Sequence, residues 1–179
     1  MPDEDKTLTR QRKITKQRLK NIALYYLERF DTSAKNLKDV LERRVYKYAR
    51  ENPEFDRAEA TAWIDEIVQE FEGYKYLDDA RYADIKVKGY LAAGKSMYYI
   101  KNKMALKGIE ESVTAGILDE AEVDEFDSAM RLAKKKKIGP FRVCSDEEQR
   151  EFWQKDMGVL VRAGFSYDVA KQVLETNSN

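Results

Sequence analysis

The sequence of 179 residues contains no histidine and only one cysteine, Cys144. The absence of histidine removes the commonest general base of enzymes and the commonest metal-binding side chain. Cys144 has no histidine to activate it and no second cysteine with which to form a disulfide, and zinc sites of the usual Cys/His kind are excluded. A glycine-rich phosphate-binding loop is also missing. These gaps predict a protein that is not an enzyme and that needs no cofactor and no metal.

Proline, glycine and long apolar runs are scarce as well. Three prolines and eight glycines leave long uninterrupted segments, and such segments favour helices. No apolar run has the length that a membrane span needs, and the first ten residues, MPDEDKTLTR, lack the hydrophobic centre of a signal peptide. A lone cysteine also suits a reducing compartment. We therefore expect a cytoplasmic protein with no membrane partner.

Charged residues make up 37% of the sequence and cancel to a formal net charge of zero, but they are segregated along the chain. Basic stretches without acids run from Lys6 to Lys20 and from Ile85 to Ile109, an acidic stretch without bases runs from Glu110 to Asp127, and a further basic stretch follows at Arg131–Lys137. One such block is typical of a solvated helix face. Four of them indicate a polarised surface that suits a charged partner, either protein or nucleic acid.

The middle of the chain, from Tyr76 to Leu118, has the pattern of three short helices. The acidic pair Asp78 and Asp79 can cap the first helix, and Gly94 can end it in a left-handed conformation. Such a pair can also hold Mg²⁺, but capping and the helix dipole explain it, so we predict no metal site there. Ser96 and Gly108 are the corresponding start and stop of the second helix. Because each helix is too short to be stable alone, the three should pack on one another.

The pattern recurs along the chain. A shift of the central stretch by about 56 positions places Gly108 on Gly164, and the apolar positions around the two glycines also coincide. One apolar position, Ile100, falls on the charged Asp156. A similar shift toward the N-terminus aligns Ser33 with Ser96, but this match fails further on, so the second helix there should continue toward Arg50.

The sequence therefore predicts an all-α protein of three tandem three-helix repeats. A basic flexible tail over residues 1–17 precedes repeats at 18–76, 77–123 and 124–179. The apolar face of each repeat is small, so neighbouring repeats must cover one another, and the product should be elongated and curved. A single globular bundle is the alternative. The tail is either an arm that contacts nucleic acid or a solubilising end.

Basic and aromatic side chains together can bind phosphates and stack on bases. Tyr98, Lys101 and Lys103 lie off the apolar stripe of the second central helix and form one such group; Tyr98 could instead seal the junction with a neighbouring repeat. Lys134–Lys137 form a second group, which could contact either phosphates or an acidic protein groove. The complete set of predicted contact residues is Lys86, Lys88, Lys95, Tyr98, Lys101, Lys103, Lys134, Lys135, Lys136, Lys137 and Arg142.

The central motif carries a resemblance to a known family. Leu77–Ala83 (LDDARYA), Gly94-Lys95, Ile100 and Lys107-Gly108-Ile109 together resemble the central motif of the RecX proteins, which are bacterial modulators of the RecA recombinase. The segment GVLVRAGF at 158–165 is similar to the C-terminal signature of that family. The resemblance covers roughly residues 18–175 and implies the same tandem three-helix repeats. The charged loop around Pro53 and the long basic tail depart from the family pattern.

The resemblance also implies a function in recombination, DNA repair and the SOS response. A RecX-like protein, which we expect to be a monomer, would lie in the groove of the RecA filament on single-stranded DNA. It would inhibit ATP hydrolysis, filament extension and strand exchange. Two alternatives remain open: a helical protein that binds single- or double-stranded DNA directly, without RecA, and a helical scaffold for another partner.

Overall fold

The computed structural model describes residues 12–143 and 146–176, and for residues 146–150 it describes the helical backbone alone. Cys144 and most of the basic tail lie outside these ranges. The described residues form nine α-helices and one short 3-10 helix, with no strand, which confirms the all-α prediction. The α-helices are α1 (Lys16–Leu27), α2 (Ala34–Glu51), α3 (Arg57–Gly73), α4 (Asp79–Ala92), α5 (Met97–Leu106), α6 (Glu111–Glu120), α7 (Glu125–Lys136), α8 (Asp146–Arg162) and α9 (Tyr167–Glu175), and the 3-10 helix is Gly139–Phe141. In the described part of the chain, no helix combines the length and the apolar character that crossing a membrane requires.

The chain divides into two compact units, which meet between Asp78 and Asp79. In the first unit, α1, α2 and α3 pack around a hydrophobic cluster whose largest fully buried side chains are Leu19, Leu37, Leu41, Ile64, Ile67 and Phe71. These residues recur every three or four positions along each helix, so each helix presents one apolar face to the other two.

Side-chain caps begin the helices of the first unit. The Thr15 hydroxyl accepts a hydrogen bond from the Arg18 N–H at the start of α1, and the Ser33 hydroxyl accepts one from the Asn36 N–H at the start of α2. Ion pairs then join α3 to the other two helices: Lys16 with Glu66, Lys20 with Glu70, and Lys38 with Asp65. The hydrogen bond from Lys38 to Asp65 raises the pKa of that lysine.

The second unit contains two hydrophobic clusters. Helices α4, α5 and α6 pack around Ile100 and Met104, while α7, α8 and α9 pack around Leu160 and Val173. Each of the three groups of helices in the chain therefore has a cluster of its own, as tandem three-helix repeats require. The repeat boundaries themselves stay a prediction.

Left-handed glycines follow three helices of the second unit. Gly94, Gly108 and Gly164 have φ angles of 68°, 77° and 94° and come after α4, α5 and α8 respectively. A residue with a Cβ atom pays a steric cost in this region of backbone space, whereas glycine does not. In each case the chain then turns at once into the next helix, which brings consecutive helices of a group into contact.

Candidate partner-binding surfaces

Two of these glycines lie where helices of the second unit come into close contact. A Cβ atom on Gly94 would lie 3.0 Å from the Ser128 carbonyl oxygen of α7. A Cβ atom on Gly164 would lie 2.6 Å from the Ser96 hydroxyl and 2.9 Å from a ring carbon of Tyr98. Both glycines are therefore required by packing between the α4–α6 group and the α7–α9 group, as well as by their backbone conformation.

Ser96 is the polar centre of this junction and is completely buried. Its hydroxyl accepts a hydrogen bond from the Tyr99 N–H (3.1 Å), which caps α5, and donates one to the Ala163 carbonyl (2.8 Å) at the end of α8. The Met97 N–H donates to Glu125 Oε1 of α7 (2.8 Å). The first turn of α5 is thus fixed to both α7 and α8, so the predicted contact residues on α5 and α7 belong to one packed body.

Two of the predicted contact residues, Lys95 and Lys103, lie close to one aromatic ring, that of Tyr99. The ring of Tyr99 packs edge-on against Tyr90 with 5.5 Å between their centroids. Lys95 Nζ and Lys103 Nζ lie 4.8 Å and 5.5 Å from the centroid of the same Tyr99 ring. Burial raises the pKa of the Tyr90 hydroxyl, and the neighbouring Tyr99 adds to the shift. Similarly, Lys86 Nζ lies 5.4 Å from the ring centroid of Tyr82. Cation–π interactions with these tyrosine rings restrain the three lysine side chains.

Two other predicted contact residues of α5, Tyr98 and Lys101, are exposed to solvent. Tyr98 is 66% exposed although part of its ring lies against Gly164, so it lies at the junction and leaves surface open to solvent, and its contact with nucleic acid stays a prediction. Lys101 is exposed one helical turn further along. Lys88, on α4, forms an ion pair with Asp84 at 2.7 Å. An exposed tyrosine beside an exposed lysine provides a stacking surface and a charge for a partner.

Lys134–Lys137 lie at the C-terminal end of α7 and are all exposed. Lys137 itself has a φ of 54° and closes the helix. Cations in the last turn interact favourably with the negative end of the helix dipole. The tract therefore stabilises its own helix end, and its four ammonium groups remain accessible to an anionic partner.

Arg142 differs from the other predicted contact residues because its guanidinium group is used inside the protein. It donates from Nη2 to Asp156 Oδ1 (2.5 Å) and from Nε to Asp156 Oδ2 (3.2 Å), and it lies 4.2 Å from the centroid of the Phe152 ring. The Gly139 N–H donates a third hydrogen bond to Asp156 (2.9 Å), and Asp156 is only 2% exposed. This geometry indicates that Arg142 holds the loop between α7 and α8.

The structure thus brings together Lys95 and Lys103 around one ring, places Lys134–Lys137 on a different helix, and engages Arg142 internally. Asp78 immediately precedes α4 and Asp79 is its first residue, which are positions where acids favour a helix start. Within the described ranges, no group of three or more His, Cys, Asp or Glu side chains is placed to hold a metal ion.

A further cationic surface lies in the first unit, and the predicted contact residues include none of its cations on α1 and α2. A groove between α1 and α2 is lined by Arg12, Arg18, Arg44 and Lys47, together with Ile14, Ile22 and Tyr48. The available signal was helical spacing: Arg18 and Ile22 are four residues apart on α1, and Arg44 and Tyr48 are four residues apart on α2.

Comparison with known proteins identifies relatives of this chain. No family model matches the sequence. The chain is 37% identical to regulatory protein RecX of Myxococcus xanthus over 94% of its own length and 90% of that protein's length. It is 31% identical to regulatory protein RecX of Agrobacterium fabrum, over 87% and 80% of the two lengths. The crystal structure of RecX from Lactobacillus salivarius superposes with a TM-score of 0.61 at 21% identity, covering 89% of this chain and 94% of that one. The chain therefore belongs to the RecX family of regulatory proteins.

Proposed function

We propose that this chain binds the RecA filament on single-stranded DNA and inhibits its ATP hydrolysis, extension and strand exchange, acting as a cytoplasmic monomer. The observation that carries the proposal is the 37% identity to a regulatory protein RecX, which extends over nearly the whole of both chains. It includes the motif stretch whose resemblance implies RecA as the partner.

The side chains support a protein that binds through several weak contacts. Exposed cations lie on α5 and on α7, and each helix is fixed by the junction around Ser96. When weak contacts are joined by one chain, the second contact forms at a high effective concentration, and the overall affinity exceeds that of either contact by about 10²–10⁴-fold. A repeating filament offers the same contact on each subunit and so suits such a protein.

The test is RecA ATPase activity on single-stranded DNA, with this protein titrated in and RecA taken from the same organism. Inhibition far below one molecule per RecA subunit would indicate that the protein caps filament ends. Inhibition only near equal stoichiometry would indicate that it coats the groove. Unchanged ATPase activity at a molar excess would refute the proposal.

The contact residues can be tested in the same assay. We expect Lys101→Gln with Lys103→Gln, and separately neutralisation of Lys134–Lys137, to raise the concentration needed for half-inhibition. A matched control is Lys155→Gln with Lys171→Gln, which removes the same charge from exposed positions of α8 and α9. Equal effects of the control pair and the α5 pair would mean that net charge, and not these residues, determines binding.

A second candidate function is direct binding to nucleic acid without RecA. The exposed Tyr98 beside Lys101, and the cationic groove of the first unit, favour it. It predicts binding to DNA alone, with an affinity that falls steeply as salt increases. If the ATPase titration shows no effect while DNA binding is strong and salt-dependent, this second function replaces the first.

A further inference from the structure

We propose that the groove between α1 and α2 of the first unit is a binding site for the phosphate backbone of nucleic acid. Four cationic side chains line it, Arg12, Arg18, Arg44 and Lys47, and none of its lining residues in the described part of the chain carries a carboxylate. The groove has a volume of about 210 Å³. This inference does not depend on RecA, and it concerns residues other than those on α5 and α7.

The four cations come from three segments of the chain: the residues before α1, α1 itself and α2. Arg18 and Ile22 are one helical turn apart on α1, and Arg44 and Tyr48 are one turn apart on α2, which also contributes Lys47. Arg12 precedes α1, and its position is set by Ile14, which is 4% exposed and belongs to the core of the unit. The site is therefore built on packed elements.

The electrostatics of the first unit favour an anion in this groove. On the other side of α1, Lys16 and Lys20 are paired with glutamates of α3. Among the residues that the structure describes, the groove lining holds four positive charges and no carboxylate, and the Arg18 guanidinium donates to a neutral acceptor, the Lys13 carbonyl, at 3.4 Å. The first turn of α1 also contains no acid. The positive end of the α1 dipole near Thr15 thus adds to the field of the side chains.

Nucleic acid is the partner that this chemistry fits best. A nucleic-acid strand carries one negative charge on every nucleotide, so neighbouring phosphates form a continuous row of anions along a groove. Carboxylates of a protein partner are seldom so closely spaced. Three of the four cations are arginines, whose planar guanidinium groups bind phosphate oxygens in pairs. Ile22 and Tyr48 add an apolar floor against which sugars and bases can pack.

The experiment measures binding of a fluorescent oligothymidine strand to the full-length protein by anisotropy, without RecA, across about 50–200 mM salt. The groove variant is Arg44→Gln with Lys47→Gln. The control variant is Arg43→Gln with Arg50→Gln, which removes the same charge from exposed positions of α2 outside the groove lining. Thermal unfolding by circular dichroism checks that both variants fold, and Arg12→Gln with Arg18→Gln is a second groove variant.

Each phosphate contact on a single strand contributes about 0.7 to the slope of log affinity against log salt. We expect the groove variant to lower that slope by about 1.4 and the control variant to leave it near the wild-type value. The ratio of wild-type to variant affinity should then be about sevenfold larger at the low end of the salt range than at the high end.

Three results would overturn the proposal. The first is no binding of the oligothymidine by the wild-type protein. The second is an equal loss for the groove and control variants, since only net charge would then matter. The third is a groove variant whose DNA binding is intact; if that variant also loses inhibition of RecA, the groove receives a protein partner. Failure of RecA inhibition alone would refute the proposed function and leave this site untouched.

Discussion

Breaking the ion pair between Arg142 and Asp156 should destabilise the second unit strongly. The Asp156 side chain is 3% exposed and accepts hydrogen bonds from two nitrogens of Arg142 and from the Gly139 N–H. The change Arg142→Ala removes two of these donors and leaves a buried carboxylate with one. Removal of one partner of a buried pair costs about 3–5 kcal/mol. Since the Arg142 side chain keeps 21% of its surface exposed, we expect a loss near the lower end, about 3 kcal/mol.

The assay is urea unfolding followed by tryptophan fluorescence. The protein has two tryptophans, and a Trp63→Phe background leaves Trp153, which packs against the α7–α9 cluster, to report on the second unit. A double-mutant cycle supplies the magnitude: Arg142→Leu and Asp156→Leu are each made alone and then together. The double variant, which buries no unpaired charge, should lose less stability than the sum of the single variants, by about 2 kcal/mol.

One result would contradict this reasoning. If Arg142→Ala unfolds within about 0.5 kcal/mol of its parent, the pair contributes little to stability. If the same variant also loses inhibition of RecA, Arg142 is a contact residue, as the sequence predicted, and its pairing with Asp156 is incidental. Loss of RecA inhibition in a variant that remains stable, and loss of stability itself, are thus two distinguishable outcomes for Arg142.

Three further predictions concern the second unit. Gly164→Ala should lower the stability of this unit by about 1–2 kcal/mol from backbone strain alone, before any clash with the Ser96 hydroxyl. The control Gly116→Ala lies in an open position inside α6 and should raise stability by about 0.5–1 kcal/mol. Equal urea midpoints for the two variants would contradict the prediction for Gly164. Ser96→Ala should cost more than Ser166→Ala, because Ser96 caps α5 and also serves the end of α8, while Ser166 caps α9 alone; thermal unfolding of the two variants decides. Burial raises the pKa of Tyr90, so above about pH 10 the unfolded chain binds fewer protons than the folded chain, and stability falls as pH rises. Tyr90→Phe should reduce that fall. If the pH profile of urea unfolding is the same in this variant, Tyr90 is not the group responsible.

Local signals in the sequence were sufficient for much of the fold. Ser96 accepts the capping hydrogen bond at the start of α5, and Gly94 and Gly164 follow α4 and α8 in left-handed conformations. The failure of the repeat match after Ser33 indicated a second helix that continues toward Arg50, and α2 indeed runs to Glu51. Caps, stops and apolar periodicity are properties of neighbouring residues, so they can be read without knowledge of the tertiary structure.

Non-local features could not be predicted in this way. Asp156 replaces an apolar residue of the repeat pattern, and its position in the core is explained only by Gly139 and Arg142, which come from the preceding loop. The groove of the first unit depends on which flank of α1 faces α2. Lysines and arginines alternate around α1, and only helix packing decides that Lys16 and Lys20 pair with α3 while Arg18 lines the groove.

The two proposals together explain why one chain would carry cations of two kinds. Lysines of the second unit lie on rings or on exposed helix ends, where a protein surface of alternating charge can reach them. The first unit places three arginines and one lysine in a groove whose described lining residues include no acid, and this arrangement suits a continuous polyanion. A RecA filament offers both, because it combines protein subunits with a DNA strand. If both surfaces act on the same filament, inhibition should depend on salt more steeply than DNA binding alone, since the counterions released at each surface add.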